Sequence, residues 1–215
     1  MKNQYQPVAV EGYPFIALFA FCALFCAAIG WHCLATIGLC LTLFTVYFFR
    51  NPERCPPEGD NALVAPADGK IIFVGKVPED RYFSGQDVTK VSIFMNVFNV
   101  HVNRVPISGK VIDQFYNRGR FLNASLDKAS LENEQSGLLL ETASGVKVLC
   151  VQIAGLIARR IVSYPDNGDS LLRGQRYGLI RFGSRVDLYF PEDVEVSAKL
   201  GDKTVAGESV LGYLK

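Results

Sequence analysis

The stretch Tyr177-Gly178-Leu179-Ile180-Arg181-Phe182-Gly183-Ser184-Arg185-Val186-Asp187-Leu188-Tyr189-Phe190-Pro191 alternates. Ile180, Phe182, Val186, Leu188 and Phe190 fall on one face, and Arg181, Arg185, Asp187 and Tyr189 on the other. A period of two carried by β-branched and aromatic residues predicts a strand. Ser184 stands on the apolar face, where a hydroxyl is out of place. Gly183 precedes it, and its missing Cβ permits close approach or unusual backbone angles.

A buried serine after such a glycine has one special reaction open to it. Its Oγ can attack the carbonyl of residue 183 and turn the Gly183–Ser184 amide into an ester. Glycine leaves the attacked carbon uncrowded. Loss of the serine α-proton then breaks the ester by β-elimination. The resulting amino-terminal dehydroalanine hydrolyses to a pyruvoyl group. The other reading of the same pair is a serine tolerated at a strand bulge or turn.

Length and charge set outer bounds. At 215 residues with a formal charge of +1, the chain holds one or two domains and has no global charge bias. No basic tract with interleaved aromatics is present, so no nucleic-acid partner is expected. Cys22, Cys26, Cys33 and Cys40 lie in an apolar segment, while Cys55 and Cys150 are isolated. No C-x-x-C pair or Cys/His cluster has metal spacing, so no metal is expected, and the cysteines read as small apolar side chains.

Residues Tyr13 to Phe49 are almost entirely apolar. The run is too long for one secretory h-region and lacks a small-x-small cleavage site. Bulky Phe21, Phe25 and Leu39 before Cys22, Cys26 and Cys40 argue against a lipoprotein signal. Gly30-Trp31-His32 divides the run into halves of roughly 17 residues, near the lower limit for a spanning helix. This predicts a membrane-spanning or membrane-embedded hairpin within residues 1–50, with helices at about 14–30 and 33–49 and Trp31 at the far interface. One long tilted helix is the alternative. Lys2, Arg50 and Arg54 flank the run, so the positive-inside rule puts the remainder on the cytoplasmic side of the cell membrane.

Residues 51–61 read as a proline-rich linker, and 62–215 as a mostly β (α+β) soluble domain without a βα alternation. Asp68-Gly69 is a favoured hairpin pair between Leu63-Val64 and Ile71–Val74. Strands are expected at 91–95, 111–116, 138–142, 146–154 and 157–162, with 194–196 and 204–206 closing the sheet. Ala143-Ser144-Gly145 reads as a hairpin turn and Ser125–Asn133 as helix-like. His101, the sole histidine outside the apolar run, sits among Asn99, Asn103 and Arg104 at a strand end. It is a structural histidine or a functional one. Arg159 and Arg160 face solvent or hold a phosphate.

Taken together, these residues resemble the phosphatidylserine decarboxylase family, in its shorter branch. The matching segments are Phe48–Pro52, Ala65-Pro66-Ala67-Asp68-Gly69, Phe98-Asn99-Val100-His101-Val102-Asn103-Arg104-Val105-Pro106, the run from Phe121-Leu122-Asn123-Ala124 to Asn133-Glu134, and Arg181-Phe182-Gly183-Ser184. They occur in the family's order across nearly the whole chain, and the ordered set is far more specific than any one segment. The longer branch carries a second histidine where this chain has Arg104, so a base assigned to that histidine does not carry over.

The resemblance implies a proenzyme that cuts itself between Gly183 and Ser184. Residues 1–183 would form a β chain and 184–215 an α chain, a heterodimer of the two products that leaves higher oligomers open. Ser184 would become the covalent pyruvoyl cofactor. The reaction would be loss of CO2 from the serine head group of a phospholipid, through a Schiff base to the pyruvoyl ketone, in phospholipid biosynthesis. In that scheme Asp68 is expected to act as a base in backbone cleavage and His101 to protonate the α-carbon. Backbone donors near Gly183 would hold the oxyanion, and Arg159, Arg160 or Arg185 would be available to the lipid phosphate. Two other readings remain: a membrane-anchored serine hydrolase using Ser184, His101 and Asp68, and a decarboxylase of an ether-linked, archaetidylserine-type lipid. Against the hydrolase, Phe182-Gly183-Ser184-Arg185-Val186 lacks the second glycine of a nucleophile elbow.

Overall fold

The computed structural model describes residues 6–59, 61–119, 132–155, 160–181, 184–192 and 194–215. They fall into two compact units, Lys2–Glu53 and Arg54–Lys215.

The first unit is a hairpin of helices α1 (Tyr13–Ala28) and α2 (His32–Phe48). Pro14 sits in the first turn of α1, where its missing N–H has no partner to lose. The helices meet through small residues: a Cβ on Gly38 would lie 2.9 Å from that of Ala23. Phe21, Leu24 and Leu43 point outward. Helices apolar on every side suit a lipid surrounding. Val10–Ala28 is long and apolar enough to cross a membrane by length and composition, and α2 is a shorter apolar helix. The hydroxyls of Thr36, Thr42 and Thr45 donate to carbonyls one turn back, so each is satisfied within its own helix.

The second unit is β-rich, as the alternation predicts. Its strands are β1 (Ala62–Val64), β2 (Gly69–Glu79), β3 (Gln86–Met95), β4 (Val102–Arg104), β5 (Gly109–Asn117), β6 (Gln135–Glu141) and β7 (Lys147–Ala154). They continue as β8 (Ile161–Ser163), β9 (Ser170–Leu171), β10 (Arg176–Ile180), β11 (Ser184–Phe190), β12 (Val194–Val196), β13 (Lys203–Thr204) and β14 (Val210–Leu214). Eight of them form one sheet in the order β13-β2-β3-β11-β7-β6-β5-β9, and two three-stranded sheets run β4-β10-β8 and β1-β14-β12.

Strand β11 is central, paired with β3 on one side and β7 on the other. Val186, Leu188 and Phe190 enter the main core with Ile71, Ile93 and Leu140. On the opposite face Tyr189 packs against a second cluster of Phe83, Val88, Leu149 and Ile153. Both faces of β11 are therefore covered, which buries Arg185 and Asp187 as well.

Three local expectations are corrected. The alternating stretch 177–191 is two strands in different sheets, because β10 is flanked by β4 and β8 while β11 is flanked by β3 and β7. Asp68-Gly69 is not a hairpin turn: β1 pairs with β14, and β2 pairs with β3 and β13. Glycine is needed at 69 for another reason, since a Cβ there would lie 2.2 Å from the Phe94 carbonyl oxygen. Finally, 194–196 and 204 close different sheets, and the unforeseen β14 joins β1 to β12. The expected 138–142/146–154 hairpin is present as β6 and β7, with Glu141 opposite Lys147. The helix-like stretch 125–133 lies, up to residue 131, outside the described residues.

Residues 54–59 lie along the β unit. The Arg173 guanidinium donates to the carbonyls of Gly59, Pro57 (2.6 Å) and Ala62 (3.2 Å), and the Cys55 amide donates to Glu208 (3.2 Å).

Candidate active site

Ser184 opens β11, directly opposite Met95 of β3 and Ala154 of β7, and is 0% exposed. Its Oγ donates to the Met95 thioether at 3.3 Å. Sulfur is a weak acceptor, so the hydroxyl is dry and only lightly held. Phe182 and Gly183, the latter one half of the expected cleavage site, lie outside the described residues.

Asn103 reaches the same sulfur from β4, its Nδ2 at 3.8 Å from Met95 Sδ. Gln152 of β7 donates to Asn103 Oδ1 at 2.8 Å, which turns the Asn103 amide nitrogen towards the sulfur. All of these side chains are buried. Asn103 shares the alternation that placed Asn99 and His101 on one side of the segment 97–105. Met95 and Gln152 are brought in only by strand register.

His101 is buried just before β4. Its Nδ1 lies 2.9 Å from the Asn99 carbonyl oxygen. A carbonyl can only accept, so Nδ1 carries the proton and Nε2 is the basic nitrogen of the neutral ring. The His101 carbonyl accepts from the Ile180 amide at 3.3 Å, four residues before Ser184.

Asp68 is buried and held twice. Oδ1 accepts from the Ala206 amide at 2.7 Å, and Oδ2 pairs with the Arg54 guanidinium at 3.1 Å. Arg54 also meets Glu208 at 3.4 Å. Phe94 lies between Lys70 and Arg185 in the cross-strand row next to Ser184. The start of β2, next to Asp68, is therefore about two strand spacings, roughly 10 Å, from β11 in backbone position. The Arg104 amide bonds to the Pro66 carbonyl at 2.9 Å, which ties the histidine segment to the aspartate segment. The Arg104 side chain donates to the Gly174 carbonyl at 2.7 Å, a structural part that no second histidine fills here.

The fold thus gathers the Ser184, His101 and Asp68 segments at one end of the large sheet without joining their side chains. Neither Ser184 nor Asp68 is hydrogen-bonded to His101. A preformed Ser-His-Asp relay, as the hydrolase reading requires, is absent among the described residues. Arg185 is also removed from the list of phosphate contacts: it is buried, with Nε and Nη2 at 2.8 and 2.9 Å from Asp187. Lys90 adds a third charge at 3.1 Å from Asp187. Burial, reinforced by Asp187, holds the Tyr189 phenol protonated beside them. Arg160 is exposed, and Arg159 lies outside the described residues.

A model of the phosphatidylserine decarboxylase family matches residues 41–212. The chain is 62% identical, over 100% of both chains, to the phosphatidylserine decarboxylase proenzyme of Syntrophotalea carbinolica. Identity is 56% to the proenzyme of the same name from Geotalea uraniireducens and 55% to that of Geobacter sulfurreducens, again over 100% of each chain. The match spans Asp68, His101 and Ser184 and the strands next to them, as well as the end of α2. On these grounds the chain belongs to the phosphatidylserine decarboxylase family and is a decarboxylase.

Proposed function

We propose that the chain cuts its own Gly183–Ser184 bond, turns Ser184 into a pyruvoyl group, and uses it to remove CO2 from phosphatidylserine, leaving phosphatidylethanolamine. The observation that carries this reading is the burial of Ser184 at the head of the central strand with, among the described residues, a thioether as the one partner of its hydroxyl. A hydroxyl kept from water and from strong acceptors retains its lone pairs for an adjacent carbonyl. In the first step Oγ bonds to the residue 183 carbonyl carbon and the C–N bond breaks, giving an ester and a free amine at 184. Loss of the 184 α-proton then breaks Cβ–Oγ and releases the carboxylate of residue 183. Water replaces the nitrogen, and ammonia leaves.

The surroundings of Ser184 fit the product. A pyruvoyl group is neutral, so an uncharged buried site costs it little, and the Asn103 amide offers a donor towards a carbonyl oxygen there. Once formed, the group supplies a ketone for the substrate amine and an adjoining amide carbonyl that takes up the electron pair left by CO2. His101 Nε2 is the group suited to return a proton to the α-carbon. Asp68 serves backbone cleavage as a base, with its carboxylate oriented by Arg54 and the Ala206 amide.

The cut need not release residues 184–215. Strand β11 is laddered on both sides, β13 pairs with β2, and β12 and β14 form a sheet with β1. A heterodimer of the two products follows. The apolar hairpin and the lipid substrate support a site of action at the cell membrane, and Lys2, Arg50 and Arg54 favour the cytoplasmic side for residues 54–215 by the positive-inside rule. Intact mass and a denaturing gel test the scheme. Two chains should appear, the smaller blocked at its amino end, and Ser184→Ala should give one. A wild-type chain that stays whole yet turns over lipid would refute it and favour a hydrolase.

A further inference from the structure

We infer that the end of the large sheet holding Ser184 carries a bilayer-docking rim, in which Phe98 and Leu200 enter the lipid and Lys70, Lys199 and Lys203 meet anionic head groups. The inference rests on the lipid substrate proposed above. A diacyl lipid stays in its bilayer, so a site that acts on its head group must come to the surface.

Phe98 is 63% exposed at the tip of the turn Asn96–Asn99. The turn is rigidly built. The Asn96 amide donates to Asn99 Oδ1 (2.9 Å), the Phe98 amide to Asn96 Oδ1 (2.9 Å), and the Asn99 amide to the Asn96 carbonyl (3.0 Å). It runs from Met95, which touches Ser184, to His101. An aromatic ring is therefore held outward three residues from each of two site residues.

A single exposed ring means little by itself. The second observation is charge. Lys70 and Lys203 stand opposite each other in the β2/β13 ladder, where like charges repel. Among the described residues, no ion pair joins Lys70, Lys199 or Lys203 to a carboxylate. Asp202, which lies between Lys199 and Lys203, accepts the Lys199 backbone amide at 2.9 Å. Leu200 is 70% exposed in this turn, whose Gly201 and Asp202 backbone bonds to Ile71 at the start of β2. Ile71 lies three residues from Asp68. Apolar tips beside uncompensated lysines are the pattern of a surface that binds anionic lipid.

Two measurements on the full chain in vesicles test this. Trp31 is the one tryptophan, so Trp31→Phe with Phe98→Trp reports from the rim alone. In vesicles of phosphatidylcholine and phosphatidylglycerol with brominated acyl chains, its fluorescence should be quenched, and more so with the anionic lipid present. Emission unaffected by bromine would overturn the rim. In the second, Phe98→Asp with Leu200→Asp should lower the rate on bilayer phosphatidylserine about tenfold. Self-cleavage and the rate on monomeric dihexanoyl-phosphatidylserine should not change. Equal loss on both substrates, or on neither, would overturn the inference. If the wild type decarboxylates neither lipid, the proposed function fails, and the quenching still decides the rim. If the double aspartate variant does not fold, the tryptophan variant decides alone.

Discussion

The hydroxyl of Ser184 rests on the sulfur of Met95, 3.3 Å away, across the first rung of the β3/β11 ladder. A carboxylate or imidazole there would bind the proton tightly, and water would compete for the lone pairs. The thioether gives the O–H a direction and little more. Met95→Leu keeps the volume and removes the acceptor, leaving a buried hydroxyl unpaired at about 1–3 kcal/mol. Self-cleavage should slow several-fold as the hydroxyl loses its fixed direction. A gel time course identical to wild type would show that the sulfur orients nothing.

The Arg54–Asp68 pair predicts a different signature. Asp68 is buried and, among the described residues, keeps only the Ala206 amide once Arg54 is removed, so Arg54→Ala should cost about 1–3 kcal/mol. It should also slow self-cleavage by freeing the Asp68 carboxylate from its place. Arg54→Lys should recover most of the rate. Asp68→Asn keeps an oxygen for the Ala206 amide and removes the charge; it should leave a full-length chain. Normal processing in Asp68→Asn would remove that residue from the mechanism.

The buried charges on the far face of β11 predict a stability effect. Asp187 is shared by Arg185 and Lys90, all in or against the second core cluster. Asp187→Ala would remove the carboxylate that both cations share, at about 3–5 kcal/mol. Adding Arg185→Met should restore much of the loss, because the site is already walled by apolar side chains. Both belong in the Ser184→Ala background, where the chain stays whole and unfolding reports one species. A change under about 1 kcal/mol in Asp187→Ala would show that water reaches the cluster.

Alternation along 177–191 was enough to find the central strand and the misplaced serine. It could not show that the strand changes sheets near residue 181, because a period of two records faces and not neighbours. Nor could it show that Arg185 is buried: an odd-numbered polar residue reads as solvent-facing until a second cluster is known to cover that face. Asn103 was within reach, since it shares a face with His101. Met95 and Gln152 were not, because their part depends on register across β3, β11 and β7. Strand β14 was hidden by Gly212, which interrupts the pattern of Val-Leu-Gly-Tyr-Leu.

Cys150 and Cys55 should differ sharply in reactivity. Burial pushes the Cys150 thiol up to about 12, with the Tyr177 hydrogen bond only partly offsetting it. Cys55 is exposed. Iodoacetamide at pH 8 should label Cys55 and leave Cys150 intact in the native protein, since the thiolate is the nucleophile. Above the ordinary thiol value of 9.0 the unfolded chain loses this proton and the native chain keeps it, so stability falls as pH rises through that value. Rapid native labelling of Cys150 would mean the core opens on the labelling timescale.

In the proposed scheme His101 separates the two reactions. Its Nδ1–H is held by the Asn99 carbonyl, so the work falls to Nε2. Ser184 bonds to Met95 and not to this ring, so in the proposed scheme self-cleavage does not begin from a serine–histidine contact. The proton returned to the α-carbon, in contrast, needs a group that both carries and releases one. His101→Gln retains an N–H for Asn99 and has no titratable nitrogen. It should still yield two chains while CO2 release falls by about 10²–10⁴. Mass spectrometry of the product chains and trapped CO2 measure the two halves separately. An unprocessed His101→Gln chain would move the histidine into the cleavage step, and a variant with both rates intact would remove it from either.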